Sequence, residues 1–271
     1  MESIRLTIPR AMLASAVLFL WLSVLPGCGD RGCDVADVGK GLVAYWDFNE
    51  CSGTAVLDVS GNAYHGTIYG GEWVPNAPLC GCALDIVGET DGVWDIPATW
   101  DDDIGNYVTV AAWVTWHGPA PEDPGRACYV FDGRGAGGME RYGMYLTIWP
   151  SGQIFFQLLR GLEADNITLY SNLMMPVGRA TYLAVVLNQP DGWLRLYVNG
   201  QLDTSIAAAG GYVPSGLSAA IGNNRWARGD LQWRQLHGIV DELRIYNRAL
   251  EEGEILELSD RCGAPSMSTT P

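Results

Sequence analysis

The chain has 271 residues, 48% of them hydrophobic, with 34 glycines, 14 prolines and 11 tryptophans. That composition suits a packed domain with many turns and excludes a disordered chain. Lysine and arginine number 16 against 31 acidic residues, a formal net charge of −15, which excludes nucleic-acid binding because phosphate contacts need clustered Lys and Arg.

Residues 1–27 read as an export signal. "MESIRLTIPR" carries Arg5 and Arg10, and "AMLASAVLFLWLSVLPG" is a continuous apolar run, too short and too terminal for a favoured membrane span. The run ends in Leu25-Pro26-Gly27-Cys28, which resembles the lipobox of bacterial lipoproteins. Pro26 departs from the small or β-branched residue usual at that place. The alternative is an ordinary cleaved signal peptide, yet no A-x-A-like site stands near the boundary. Acylation at Cys28 is therefore expected, with export and lipid anchoring to the bacterial cell envelope, at the outer membrane or cell surface. Contact with membrane would be through that anchor alone. Residues 28–40 are a polar Gly/Asp-rich tether, 41–260 the folded domain and 261–271 a flexible tail.

With Cys28 set aside, Cys33, Cys51, Cys80, Cys82, Cys128 and Cys262 remain. An even number in an exported chain points to up to three disulfides of undetermined pairing. Cys33 and Cys262 bracket the domain and are favoured as partners. Cys80-Gly81-Cys82 has C-x-C spacing without a histidine cluster, a poor zinc motif, so bridges to Cys51 and Cys128 are expected.

From Gly41 onward, strand-like runs alternate with turn residues. "GLVAYWDF" is followed by the turn-rich "DVSGNAYHG". In "NYVTVAAWVTWHG", Val108, Val110, Ala112, Val114 and Trp116 share one face, while Tyr107, Thr109, Ala111, Trp113 and Thr115 share the other. That period of two marks a strand. "ACYVFDG", "YGMYLTIW", "QIFFQLL" and "NITLY" follow. Residues 180–206 read as three strands joined by Pro190-Asp191-Gly192 and by the hairpin signal Asn199-Gly200. After "LSAAIGN" and "GIVDELRIY" comes one helical segment near "RALEEGEILEL", with Leu250, Ile255 and Leu258 on one face and solvated glutamates opposite. About a dozen strands without alternating helices give an all-β fold, a two-sheet antiparallel jelly-roll sandwich with one short C-terminal helix.

Over residues 41–258 the chain resembles a laminin-G-like domain of the concanavalin A-like lectin/glucanase superfamily. "GLVAYWDFNECSGTAVLDVSGNAYHGTI", "CALDIVGETDGVWDIP", "VTVAAWV", "WLRLYVNGQLD", "AAIGN" and "GIVDELRIYNRALEEGEI" stand in that family's order. The resemblance implies first and last strands side by side, and a surface recognising glycan or protein.

Asp241 and Glu242 pose the question of catalysis. Laminarinase-like glucanases of the superfamily alternate their carboxylates along one strand, which points all of them into one cleft at the separation retaining hydrolysis requires. Here the two acids are adjacent and face opposite ways, no such pattern occurs, and His65, His117 and His237 stand in no recognisable catalytic order. A non-catalytic binding lipoprotein is expected, with a polysaccharide-cleaving glycoside hydrolase or a structural envelope protein as alternatives.

The superfamily's structural calcium suggests a role for Asp58, Asn62 and Asp241 as its ligands, since calcium takes carboxylate, amide and backbone oxygens. The alternative left open is that Asp58 caps its own turn and Asp241 accepts from backbone amides or an arginine. Glu242, on the opposite face, would pair with Arg244 or a neighbouring strand. Trp226 and Trp233, with Arg225, lie in a polar loop suited to stacking on sugars or anchoring a protein partner; folding back over the sandwich edge is the other reading. The glycine-rich residues 131–143 read as a mobile rim loop, lacking the features of a phosphate cradle.

Overall fold

A computed structural model describes residues 38–75, 81–88, 90–121, 123–137, 140–224 and 235–261. Cys28, Cys33, Cys80, Arg225, Trp226, Trp233 and Cys262 lie outside the described residues. In chain order the strands are β1 (Leu42–Trp46), β2 (Ala55–Val56), β3 (Gly66–Tyr69), β4 (Glu72–Val74), β5 (Ala83–Ile86), β6 (Gly92–Ile96), β7 (Tyr107–Trp116), β8 (Cys128–Asp132) and β9 (Gly135–Gly137). They continue as β10 (Glu140–Ile148), β11 (Gln153–Gly161), β12 (Ile167–Met174), β13 (Ala180–Asn188), β14 (Trp193–Val198), β15 (Gln201–Ala207), β16 (Ala219–Ile221) and β17 (Gly238–Tyr246). The helix α1 covers Glu252–Asp260. The count exceeds the expected dozen because pieces such as β2, β4 and β9 are too short to show a period of two.

Two antiparallel sheets result. The first runs β15-β14-β13-β7-β17-β5-β4, with β1 also paired to β17; the second runs β12-β11-β10-β8-β16-β6-β3-β2, with β9 on β10. First and last long strands are thus neighbours, as the resemblance implied. Val108, Val110, Ala112 and Val114 of β7 meet Met144, Leu146, Ile154 and Phe156 of the second sheet in one buried core. Each of these side chains larger than alanine contributes about 1.5–3 kcal/mol of burial.

The other face of β7 is buried too. Ala111 and Trp113 pack with Tyr182, Tyr197, Tyr246, Leu250, Ile255 and Leu258 in a second cluster. This places the expected apolar face of α1 against the back of the first sheet. The glutamates of that helix are not uniformly solvated, however. Glu254 is buried, closes a capping box with Glu251, and takes both of its oxygens to Arg248 at 2.7 Å. At the β14–β15 hairpin, Asn199 and Gly200 have φ of 49° and 75°, as a two-residue type I′ turn demands.

Cys51 and Cys82 form a disulfide with Cα atoms 5.5 Å apart. Cys128 is buried with a free thiol, correcting the expectation that it bridges the C-x-C pair: its place on β8 turns it into the protein interior. The 131–143 loop reading is also corrected in part, since β9 pairs with β10 and Arg134 is buried.

Candidate functional site: the outer face of the second sheet

In β10, β11 and β12 the residues that alternate with the core point outward. Register aligns them across strands. Tyr129 pairs with Thr147, Thr147 with Phe155, and Phe155 with Tyr170, one row over β8, β10, β11 and β12. The next row holds Asp132, Tyr145, Gln157 and Thr168. At about 4.8 Å per strand each row spans roughly 14 Å.

The first row is aromatic. Phe155 stands edge to face on Tyr170, with centres 5.0 Å apart, and Tyr145 lies 5.5 Å from Phe155. Trp149, just after β10, lies 5.9 Å from Phe155 and 6.4 Å from Tyr170. Trp149 and Tyr170 remain 42% and 46% exposed, unusual for large rings that could fold inward. The second row is a hydrogen-bond chain: Tyr145 Oη donates to Gln157 Oε1, and Gln157 Nε2 to Thr168 Oγ1, both at 2.8 Å. Burial pushes the Tyr145 phenol up to about 12, so it stays a neutral donor. A cavity of about 590 Å³ opens beside it, lined among others by Arg141, Tyr145, Gln157, Glu163 and Asn166.

Arg134 braces this face from within. Its Nε and Nη2 bond both oxygens of Asp132 at 2.7 Å, and its guanidinium stacks 4.9 Å from Tyr129 and 4.3 Å from Tyr145. Asp132 is thereby a fixed counter-ion, not a free acid. Apolar rings beside ordered hydrogen-bonding groups suit a ligand with one apolar and one hydroxylated face.

A family model for the concanavalin A-like lectin/glucanases superfamily, of laminin G type, matches residues 89–256. The chain belongs to that superfamily. Domain 4 of AbnA, an extracellular arabinanase from Geobacillus stearothermophilus solved with arabinotriose, is similar at a TM-score of 0.59 and 21% identity, covering 80% of this chain and 98% of that one. A botulinum neurotoxin type C structure, whose cell entry depends on two ganglioside molecules, aligns at 0.58 and 14% identity over 83% of this chain and 52% of its own. The binding domain of botulinum neurotoxin DC, in complex with rat synaptotagmin II, aligns at 0.57 and 13% identity over 82% and 52%. This chain therefore spans about half the length of those two toxin chains. No curated protein matches.

Within this lectin/glucanase domain the expected calcium ligands have distinct surroundings. Asp58 Oδ1 accepts from Tyr45 N and Ser60 N, and Oδ2 from Tyr64 N, each at 2.9 Å. Asp58 N donates to His65 Nδ1 at 2.9 Å, and Asn62 Nδ2 donates to the Val43 carbonyl at 2.9 Å. The D-x-S-G-N-x-x-H stretch is thus a self-closed turn stapled to β1. Asp241 differs. It is 0% exposed, and no well-formed hydrogen bond reaches either carboxylate oxygen. Burial, and secondarily the charge of Glu242, push its pKa up to about 8.

Topology explains the position of Asp241. Gly238–Val240 pair with β5, whereas Leu243–Tyr246 pair with β1, and a bulge between Asp241 and Arg244 accommodates the change. Glu242 takes φ 54° there. It pairs with Arg244 and accepts from Tyr45 Oη at 2.8 Å, while Arg244 stacks 3.9 Å from the Tyr45 ring. The expected Glu242–Arg244 pair is present, but buried and not on the surface, because the bulge turns both side chains under Tyr45.

Of the three expected calcium ligands, Asp58 is held by backbone amides and Asn62 spends its Nδ2 on the Val43 carbonyl. Among the described residues no group of three or more His, Cys, Asp or Glu side chains is arranged to hold a metal; a set of two carboxylates completed by amide and backbone oxygens is a different arrangement. Asp241 keeps both carboxylate oxygens without a well-formed hydrogen bond. Sequence reasoning missed the Tyr145–Phe155–Tyr170 face entirely. Its signal was the alternating aromatics in "YGMYLTIW", "QIFFQLL" and "NITLY", but only the cross-strand register brings them together.

Proposed function

We propose that this domain is a non-catalytic glycan-binding module displayed on the bacterial cell envelope, with the outer face of the second sheet as its contact surface. The observation that carries the reading is the exposed Trp149–Tyr170 pair continuing into Phe155 and Tyr145, beside the hydrogen-bonded Gln157–Thr168 row. Sugar rings would stack on the aromatics and place hydroxyls on Gln157 and on the cavity side chains. Binding rather than cleavage is favoured because Asp132 is neutralised by Arg134, and the Asp241–Glu242 pair belongs to the other sheet. Similar domains, one solved with arabinotriose and one from a toxin whose cell entry depends on gangliosides, support the ligand class. A glycan array read with the native chain and with a Trp149→Ala/Tyr170→Ala variant tests it: blank arrays for the native chain, or identical profiles for both, overturn the reading.

Envelope display rests on acylation of Cys28, tested by detergent partitioning of Cys28→Ser against the native chain. The calcium proposal for Asp58, Asn62 and Asp241 draws its support from Asp241, whose buried carboxylate has no well-formed hydrogen bond. Titrating the chelator-treated chain with Ca²⁺ tests it, and binding unchanged in Asp241→Asn would sink it.

A further inference from the structure

Two of the chain's three histidines meet at one end of the first sheet. His117 follows β7 and His237 precedes β17, and His117 N donates to the His237 carbonyl at 3.0 Å. Their rings stand edge to face with centres 5.7 Å apart. His237 holds φ 45°, a left-handed conformation that costs a non-glycine residue about 1 kcal/mol or more and persists where the surroundings impose it.

Each ring has an oxygen behind its Nδ1. His237 Nδ1 lies 3.1 Å from the Gly118 carbonyl; a carbonyl only accepts, so this nitrogen carries the proton and Nε2 keeps its lone pair. His117 Nδ1 faces Asp85 Oδ1 at 3.8 Å, beyond hydrogen-bond distance, and that oxygen is buried without a hydrogen-bond partner, so a small approach would join the two. An oxygen acceptor on the far nitrogen is what fixes tautomer and orientation in metal-binding imidazoles.

We propose that His117 and His237 bind a divalent transition ion such as Zn²⁺ through their Nε2 atoms, with Asp85 and the Gly118 carbonyl as orienting acceptors and water completing the shell. The spacing fits. A Zn–N bond of about 2.0–2.1 Å puts each ring centre roughly 3.2 Å from the ion, and a tetrahedral angle then separates the centres by about 5 Å. The observed 5.7 Å is close to that separation, and turning the rings about their side-chain torsions out of the edge-to-face packing would bring both Nε2 atoms onto one ion. Imidazole ligands favour Zn²⁺, Ni²⁺ and Cu²⁺ over Ca²⁺ and Mg²⁺. The net charge of −15 draws cations toward the domain, and Glu72, paired across the ladder with Asp85, adds local negative charge. An ion here would clamp the end of β7 to the start of β17.

Calorimetric titration of the untagged, metal-free full chain with Zn²⁺ tests the site. One equivalent is expected to bind, with affinity at least tenfold weaker in His117→Gln, His237→Gln or Asp85→Asn, and unchanged in His65→Gln. Excess Ca²⁺ should not compete. Histidine ring resonances of the native chain give a second readout, with substoichiometric Ni²⁺ broadening His117 and His237 before His65. Absence of Zn²⁺ binding, undiminished binding in the His117→Gln/His237→Gln double variant, or uniform broadening of all three rings overturns the proposal. If the double variant does not fold, the native-chain broadening decides.

Discussion

Phe155 on β11 stands edge to face with Tyr170 on β12, ring centres 5.0 Å apart, on a face that the sandwich does not cover. Phe155 is buried beneath its neighbours, whereas Tyr170 and Trp149 are exposed. The buried ring therefore fixes the platform and leaves the exposed rings free to meet a ligand in the proposed binding mode. Truncating an exposed stacking ring removes contact without opening the core. Trp149→Ala and Tyr170→Ala should each weaken glycan binding by about 1–2 kcal/mol, roughly five- to thirtyfold, in the range of aromatic hot spots. Melting temperature should stay nearly constant. Affinity electrophoresis in glycan-containing gels, with a thermal melt on the same samples, checks both halves.

Asp241 sets a pH dependence of stability. Its folded-state pKa, raised to about 8 from an ordinary 3.8, means the folded chain holds the proton more tightly than the unfolded chain. The resulting stabilisation is complete below about pH 4 and is lost as pH rises toward 8, with a slope of up to 1.36 kcal/mol per unit, an order-of-magnitude figure. In chelator-treated protein, Asp241→Asn should abolish this slope and be the more stable form at pH 8. Urea unfolding at pH 5, 6.5 and 8 measures it, and a parallel profile for native and variant chains would count against the assignment.

Arg244 and Glu242 are a buried pair capped by Tyr45. Breaking such a pair from one side leaves an uncompensated charge and costs about 3–5 kcal/mol. Arg244→Met should therefore destabilise strongly. The double change Arg244→Met/Glu242→Gln should recover most of the loss, and the double-mutant cycle by chemical denaturation gives the coupling directly.

The Cys51–Cys82 bridge closes a stretch with a sequence separation of 31, for which chain entropy predicts about 3–4 kcal/mol. Cys51→Ser should lower stability by about that amount or less. Cys128→Ser, which breaks no bridge, should act only through burial of a hydroxyl on β8. Denaturation midpoints of the two variants, with thiol counting under denaturing conditions, separate these effects.

Much of the fold was legible because its causes are local. The period of two in residues 107–116 reflects the pleat, the Asn199-Gly200 turn reflects the backbone angles those residues tolerate, and Leu250, Ile255 and Leu258 recur at helical spacing. The D-x-S-G-N-x-x-H turn was legible as a turn, since Asp58 and Ser60 sit two residues apart; that its carboxylate also gathers Tyr45 N from β1 was not.

The remaining features depend on which strands become neighbours and in what register. Tyr129, Phe155 and Tyr170 form one row because β8, β10, β11 and β12 align them, and a one-residue slip would send each to the other face. Asp241 is buried without a well-formed hydrogen bond where β17 exchanges β5 for β1, which no local pattern announces. Cys82 met Cys51 and not Cys128, and His117 met His237, through chain segments far apart in sequence. Alternation, turns and family were written in the order of residues along the chain; side-chain meetings across strands were settled by long-range pairing, because their energies depend on register and burial that exist only once the sheets have formed.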